Sequence, residues 1–154
     1  MAADPVLDGD AVARALQGAY ARDAGRQGLL TLAATRIRAA GPPYTGVYLY
    51  MLHGSALELE AFDGRATEHT RIPVGAGICG RAVAERRDLN VPDVRQAEGY
   101  LACSIETRSE LVVLIRRHDE ILGQIDIDSD AVDPLTPAEE AEVRKVADAL
   151  AALL

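Results

Sequence analysis

The sheet of this protein is decided by Gly123-Gln124-Ile125-Asp126-Ile127-Asp128-Ser129, in which apolar and polar residues alternate strictly. In a β-strand the two isoleucines face one side, whereas Asp126 and Asp128 face the other. At about 3.3 Å per residue, the two carboxylates are then roughly 7 Å apart on one surface. The stretch therefore predicts a strand with one apolar face and one acidic face.

The predicted partner of this strand is Leu111-Val112-Val113-Leu114-Ile115, an unbroken apolar run. Its length and β-branched content are typical of a strand that is covered on both faces. If the two strands pair as a hairpin across residues 116–120, Glu110 comes close to Asp126 and Asp128. The sequence therefore predicts three carboxylates on one side of the sheet.

A cysteine in polar surroundings lies just before the apolar run, in Gly99-Tyr100-Leu101-Ala102-Cys103-Ser104-Ile105-Glu106-Thr107-Arg108-Ser109-Glu110. Residues 95–109 form a connection of about 15 residues, and connections of that length in a compact domain are commonly binding loops. We therefore expect Cys103 to be a chemically active thiol near the three carboxylates. The alternative for Asp126 and Asp128 is a solvated strand face, since alternating acidic residues commonly face water.

Helical segments are predicted at both ends of the chain. Residues 1–40 are rich in Ala, Leu and Arg and form two helices or one interrupted helix, with an apolar face that includes Leu30 and Ile37. Residues 136–154 begin with the capping box Thr136-Pro137-Ala138-Glu139 and continue as an amphipathic helix. Both segments have an apolar face to place against a sheet.

The sheet and its loops occupy residues 44–129 between these helical segments. Further strands are predicted over residues 45–53, 56–62, about 67–74 and 89–94. This order of elements indicates an α+β fold in a single domain, residues 1–154. We expect a central antiparallel sheet of about six strands, with the N- and C-terminal helices packed on one side and the ligand loop on the other.

A glycine-rich stretch, Gly75-Ala76-Gly77-Ile78-Cys79-Gly80, matches the Gly-x-Gly-x-x-Gly pattern of dinucleotide-binding folds. We reject that interpretation because the helix predicted over residues 81–87 is too short for the crossover helix of those folds. Cys79 is then near the N-terminus of a short helix, where the helix dipole favours a thiolate. A small buried apolar residue is the alternative interpretation of Cys79.

The composition excludes several classes of partner. The 16 basic and 24 acidic residues give a net charge of −8, which disfavours nucleic acid and anionic membranes. No apolar run approaches the ~20 residues that span a bilayer, and we expect a cytoplasmic protein. Two cysteines are too few for a disulfide scaffold. We expect no metal, because Cys79, Cys103 and His69 lack both a Cys-x-x-Cys pair and a fourth zinc ligand.

From Tyr44 onward the chain resembles GAF domains and, among them, the free methionine-(R)-sulfoxide reductases. The resemblance is carried by short stretches along the chain, which are Tyr44-Thr45-Gly46-Val47-Tyr48, Arg71-Ile72-Pro73-Val74-Gly75, Gly77-Ile78-Cys79-Gly80, Ala82-Val83-Ala84, Pro92-Asp93-Val94, Gly99-Tyr100-Leu101-Ala102-Cys103, Ser109-Glu110 and Asp126-Ile127-Asp128-Ser129. Each stretch alone is weak evidence, and together they are specific.

This resemblance implies a role for each candidate site residue. Cys103 would be the nucleophile. The substrate's amino group and sulfoxide oxygen would be held by three carboxyls, those of Glu110, Asp126 and Asp128. Tyr44 and Tyr48 would flank its methyl-sulfur end, although Tyr44 stands where the family usually has tryptophan.

The main departure from the family is His69. The family has a cysteine two positions before the Arg-Ile-Pro motif, where it commonly resolves the oxidised nucleophile, and this chain has His69 there. Either Cys79 resolves instead, or an external thiol does, or only ligand binding remains. If position 69 lies near Cys103 as in the family, His69 as a cation would promote ionisation of that thiol and so modulate Cys103.

Reduction of a sulfoxide needs a thiolate that attacks the sulfur and an acid that protonates the departing oxygen. It also needs a second thiol that reduces the resulting sulfenic acid. Cys103, one of the clustered carboxyls and Cys79 fit these roles. The expected function is thus thiol-dependent reduction of free methionine-(R)-sulfoxide in a homodimer, with no bound cofactor and with thioredoxin as reductant. The alternative is a non-catalytic GAF module that binds a small ligand or senses oxidant.

Overall fold

The computed structural model describes residues 4–97 and 105–154. Over these residues the chain forms four α-helices, six strands and one short 3-10 helix. The elements are α1 Gly9–Ala21, α2 Arg26–Ala39, β1 Gly46–His53, β2 Ala56–Asp63, β3 Arg71–Pro73, α3 Gly77–Glu85, β4 Leu89–Val91, the 3-10 helix Val94–Gln96, β5 Ser109–Arg117, β6 Glu120–Ser129 and α4 Pro137–Leu153. The predicted α+β class is confirmed.

All six strands belong to one antiparallel sheet with the order β3-β2-β1-β6-β5-β4. The predicted hairpin is formed by β5 and β6, with His118 in the turn at φ 55°. The two long strands β1 and β6 lie at the centre, so the acidic strand is covered by neighbours on both edges. This position explains why β6 is buried along nearly its whole length.

The larger core lies on the face of the sheet that carries the odd-numbered residues of β1, β5 and β6. Val47, Leu111 and Ile127 point into it. The sheet packs against α2 and α4 on this face, and α1 packs on those two helices. The predicted packing of N- and C-terminal helices on one side is therefore confirmed. No helix in the described part of the chain is both long and apolar enough to cross a bilayer.

A smaller core lies on the opposite face, between the sheet and α3. It contains Tyr48 and Tyr50 from β1, Val112 and Leu114 from β5, and Cys79 from α3. The strict alternation along β6 places Asp126 and Asp128 on this second face. The second face therefore combines an apolar floor with acidic side chains.

Three strand and helix boundaries differ from the sequence predictions. The third strand is short because Thr67 Oγ1 accepts from the main-chain N–H of His69 at 3.0 Å and turns the chain locally. The strand β4 ends at Val91, since the following Pro92 has no N–H to donate. The helix α3 starts earlier than predicted, at Gly77.

The predicted capping box of α4 is only half formed. Thr136 accepts from the main-chain N–H of Glu139 at 3.3 Å, but the Glu139 carboxylate does not return the contact. It accepts instead from the N–H of Val6 at 2.7 Å, the N–H of Leu7 at 3.3 Å and the hydroxyl of Tyr44 at 2.6 Å. Glu139 therefore ties the N-terminal segment and the start of β1 to α4.

Candidate active site

The candidate site is built on three carboxyls from two neighbouring strands. Glu110 on β5 lies directly opposite Asp128 on β6, and Asp126 is two residues before Asp128 on the same face. Their exposed fractions are 2%, 3% and 0%, respectively. The three residues, called the acidic cluster below, are thus buried together, and a solvated strand face is excluded.

The thiol of Cys79 faces the acidic cluster from α3. Its Sγ lies 3.9 Å from Oε2 of Glu110, and single ligand atoms of Cys79, Glu110 and Asp126 all lie within 4.8 Å of one another. Cys79 is the third residue of α3 and is 6% exposed. The thiol is therefore buried, as the small-apolar-residue interpretation expects, and it also lies beside ionisable groups.

Burial dominates the electrostatics of the acidic cluster. It raises the pKa of Glu110 well above its usual range, and the charges of Asp126 and Asp128 raise it further. Burial and the charge of Asp128 likewise raise the pKa of Asp126, while contacts with Cys79 and Glu110 act in the opposite direction. Neither carboxylate oxygen of Asp126 has a partner in hydrogen-bond geometry among the described residues. The cluster therefore favours either bound protons or a bound cation.

Two tyrosines of β1 border the acidic cluster on the same face. Tyr48 lies opposite Asp126, stacks on Phe62 with ring centroids 5.8 Å apart, and donates to the Arg65 carbonyl oxygen at 2.5 Å. An aromatic wall thus stands beside the carboxyls.

The second of these tyrosines, Tyr50, donates to the His69 carbonyl oxygen at 2.7 Å and lies opposite Gln124. The sequence analysis missed Tyr50 and Gln124. The alternation that placed Tyr48 and Asp126 on one face also places these two residues there.

Tyr44 is not brought to the acidic cluster. Its side chain packs in the larger core on the opposite face of the sheet, and its hydroxyl donates to Glu139. Burial and the neighbouring carboxylate raise the pKa of Tyr44 well above its usual range, so the hydroxyl stays a donor. The structure therefore places Tyr44 away from the acidic cluster, on the opposite face of the sheet. Cys103 lies outside the described residues.

The donor set of the site suits a cation. Among the described residues, two groups of three offer ligand atoms to a metal ion, the buried group Cys79, Glu110 and Asp126 and a more exposed group on α1 and α4. A cavity of about 480 Å³ opens at the sheet edge and is lined in part by Val91, which pairs with Glu110. The acidic cluster is not among the described residues that line this cavity.

The chain belongs to the GAF domain family, whose model matches residues 26–154. It is also similar to the free methionine-R-sulfoxide reductase of Escherichia coli K12, with 35% identity over 97 residues. That match covers 63% of this chain and 58% of the E. coli protein, so the chain spans less than two thirds of that relative. The resemblance to GAF domains is thereby confirmed.

Solved structures agree with this assignment. The type II free methionine-R-sulfoxide reductase of Thermoplasma acidophilum has a TM-score of 0.77 and 33% identity, and the match covers 92% of this chain and 94% of that chain. The free methionine-R-sulfoxide reductase of Neisseria meningitidis in complex with its substrate has a TM-score of 0.87 and 26% identity, covering 99% and 92%. The chain is thus similar to these reductases over almost its whole length.

Proposed function

We propose that this protein reduces free methionine-(R)-sulfoxide to methionine. The observation that supports the proposal is a buried cluster of three carboxyls with a thiol beside it, in a chain similar to reductases of this substrate. The ammonium group of a free amino acid is a cation that can enter such a cluster and offset its burial. A methionine residue within a polypeptide lacks this ammonium group, which restricts the substrate to the free amino acid.

Binding orients the sulfoxide through groups that are already in place. In this proposal Glu110, Asp126 and Asp128 hold the ammonium group and the sulfoxide oxygen, and the Tyr48 ring flanks the methyl-sulfur end. A carboxyl with a raised pKa keeps its proton at neutral pH and can donate it to the departing oxygen. The acid therefore belongs to the acidic cluster.

The redox step uses two thiols in sequence. The Cys103 thiolate attacks the sulfoxide sulfur, and the protonated oxygen leaves as water, which gives a sulfonium with a sulfur–sulfur bond to Cys103. Water then attacks the Cys103 sulfur, the sulfur–sulfur bond breaks, methionine leaves with the bonding electron pair, and Cys103 is left as a sulfenic acid. The Cys79 thiol then attacks the sulfenic sulfur, which releases water and closes a disulfide. Thioredoxin returns both thiols by dithiol exchange, and no bound cofactor takes part. His69, as a cation, would favour the Cys103 thiolate.

A second candidate function is a non-catalytic GAF module that binds a small ligand or senses oxidant. It is favoured by His69, which stands where the reductases commonly have a resolving cysteine. The buried acidic cluster would bind an amino acid or another cationic ligand in this case as well. The two candidates therefore differ in turnover and not in binding.

The deciding experiment measures NADPH oxidation by the purified protein with thioredoxin, thioredoxin reductase and free methionine-(R)-sulfoxide. The reductase proposal expects steady oxidation with the R epimer and none with the S epimer. Calorimetry on the same preparation measures ligand binding. Binding of the R epimer without any oxidation would move the assignment to the non-catalytic module.

The proposed setting is a homodimer in the cytoplasm, where the thioredoxin system is found. Support for the dimer comes from the helical side, where Val6 is 53% exposed and Tyr20 on α1 is 52% exposed in the single chain. A contiguous patch of such side chains is covered by a partner in many proteins. Light scattering at micromolar concentration tests this, and a monomeric mass would contradict it.

A further inference from the structure

Gln124 is a buried polar residue that neither the sequence analysis nor the proposed chemistry uses. It lies two residues before Asp126 on β6 and has no exposed surface. Its Nε2 donates a hydrogen bond of 3.0 Å to the main-chain carbonyl oxygen of Cys79, 45 positions away in sequence. A side chain of the sheet therefore holds the main chain of the residue that carries the thiol.

The helix that receives this hydrogen bond begins without a side-chain cap. α3 has nine residues, and its N-cap residue Ala76 makes no side-chain capping bond. Glycines at positions 77 and 80 lower its helix propensity further. The Gln124 amide thus anchors the first turn of a short and weakly capped helix.

Burial of the Gln124 amide costs desolvation free energy, which indicates that its one hydrogen bond is important. Gln124 lies opposite Leu114 on one neighbouring strand and opposite Tyr50 on the other. Its Oε1 is buried without a hydrogen-bond partner among residues 4–97 and 105–154. An apolar side chain of similar length would avoid this desolvation cost. The hydrogen bond to Cys79 is what distinguishes glutamine from such a side chain.

We propose that Gln124 is a positioning residue, whose hydrogen bond to the Cys79 carbonyl keeps the Cys79 thiol buried against Glu110 and Asp126. The carbonyl and the Cβ of a residue are attached to the same Cα atom, so fixing one restricts the other. This proposal rests on the proposed function only where it gives the Cys79 thiol a role in the reaction. The placement of the thiol is measurable without any turnover.

The test measures the rate at which Cys79 reacts with 5,5′-dithiobis(2-nitrobenzoate) in native buffer. A Cys103→Ser background leaves Cys79 as the only cysteine of the chain. Gln124→Met keeps the length of the side chain and removes the donor. Since one hydrogen bond is worth about 0.5–1.5 kcal/mol and about 1.4 kcal/mol corresponds to a factor of ten, we expect the reaction to become about two- to twelvefold faster.

Two further variants separate positioning from general loss of stability. Asn90→Leu removes a comparable bond, in which the Asn90 amide donates to the Leu135 carbonyl oxygen at 2.7 Å, and should change the rate less than about twofold. Gln124→Asn keeps an amide, but its side chain is one methylene too short to reach the Cys79 carbonyl oxygen. Cys79 should therefore react as fast in this variant as in Gln124→Met. Unchanged rates in both Gln124 variants, or equal acceleration in Asn90→Leu, would overturn the proposal.

The outcome for the reductase proposal is read separately. If Cys79 resolves the sulfenic acid, Gln124→Met in the protein with both cysteines lowers steady-state turnover and leaves a single turnover intact. Faster reaction of Cys79 with the disulfide reagent, without any reductase activity, would retain the positioning role and reject the reductase. Reductase activity with an unchanged rate of this reaction would reject the positioning role alone.

Discussion

Glu110 on β5 and Asp128 on β6 lie directly opposite each other in the antiparallel ladder, and both carboxyls are buried. Two ionised carboxylates at such a place repel each other and lose hydration, so ionisation opposes folding. The free energy of unfolding of the protein should therefore depend on pH through this pair and the adjacent Asp126. A bound ammonium group would relieve the same repulsion, which links pH, ligand and stability.

The first prediction concerns stability against pH. The pKa values of Glu110 and Asp126 are raised by folding, whereas their unfolded values are near 4.3 and 3.9. Their contribution to stability is complete below about pH 4 and is lost as pH rises through the folded values. Asp126→Asn removes one of these groups and should raise the melting temperature at pH 8, by roughly 2–4 °C for each kcal/mol regained.

Calorimetry of the ligand-free protein between pH 5 and pH 8 measures this effect. Asp148→Asn is the matched control, because Asp148 is exposed on α4 and the variant has the same charge change. The melting temperature of the control should follow that of the wild type at every pH. If the melting temperature of Asp126→Asn also follows that of the wild type at every pH, ionisation of the buried carboxyl does not reduce stability.

The second prediction concerns substrate binding. Asp126→Asn and Asp128→Asn remove charge that would face the ammonium group, and we expect the dissociation constant to rise at least tenfold, or about 1.4 kcal/mol. Calorimetry is best done in a Cys103→Ser background, where the substrate is bound but not consumed. Wild-type affinity in both asparagine variants would place the ammonium group elsewhere.

The acidic cluster was accessible from sequence because it follows from local alternation. A strict period of two fixes which side chains share a face, and a short apolar hairpin fixes the register of β5 against β6. The class of fold and the packing of the terminal helices followed from periodicity in the same way. The position of Cys79 near the start of α3 rested on the glycine-rich stretch before it.

The positions of Tyr44 and Glu139 could not be predicted from the sequence, because they depend on partners that are distant along the chain. Glu139 matched a capping box, but it binds residues more than 90 positions away in sequence, Tyr44 among them. Local patterns carry no information about which of two available donors such a carboxylate takes. The start of α3 was also predicted too late in the chain, because glycine has a low helix propensity and this helix contains glycines. At Gly80 an added Cβ would collide with the Pro73 carbonyl oxygen, so packing requires the glycine.

The third prediction tests the placement of Tyr44. Tyr44→Phe removes one of the donors to buried Glu139 and should lower the free energy of unfolding by about 1–2 kcal/mol. Thr35→Val, which removes a hydroxyl at an exposed position of α2, is the control and should leave stability within about 0.5 kcal/mol. Urea denaturation measures both. A large loss of substrate affinity in Tyr44→Phe without loss of stability would instead place Tyr44 at the substrate.

The last prediction concerns how the oxidised nucleophile is cleared. Under the proposed function, a single turnover releases about one methionine per reduced subunit, while steady turnover with thioredoxin is slow and depends on Cys79. Cys79→Ser should therefore keep the single turnover and lose most of the steady rate. If the steady rate is unchanged, an external thiol attacks the Cys103 sulfenic acid directly.

His69→Cys should restore the resolving thiol that the family commonly has. The main chain at this position is fixed, because the Tyr50 hydroxyl donates to the His69 carbonyl oxygen from the face that carries the acidic cluster. We expect a faster thioredoxin-supported rate and a disulfide between positions 69 and 103 by peptide mapping. Glu68→Cys places the same thiol one residue away at an exposed position and should form little of the corresponding disulfide. Equal yields from both variants would mean that position 69 has no special access to Cys103.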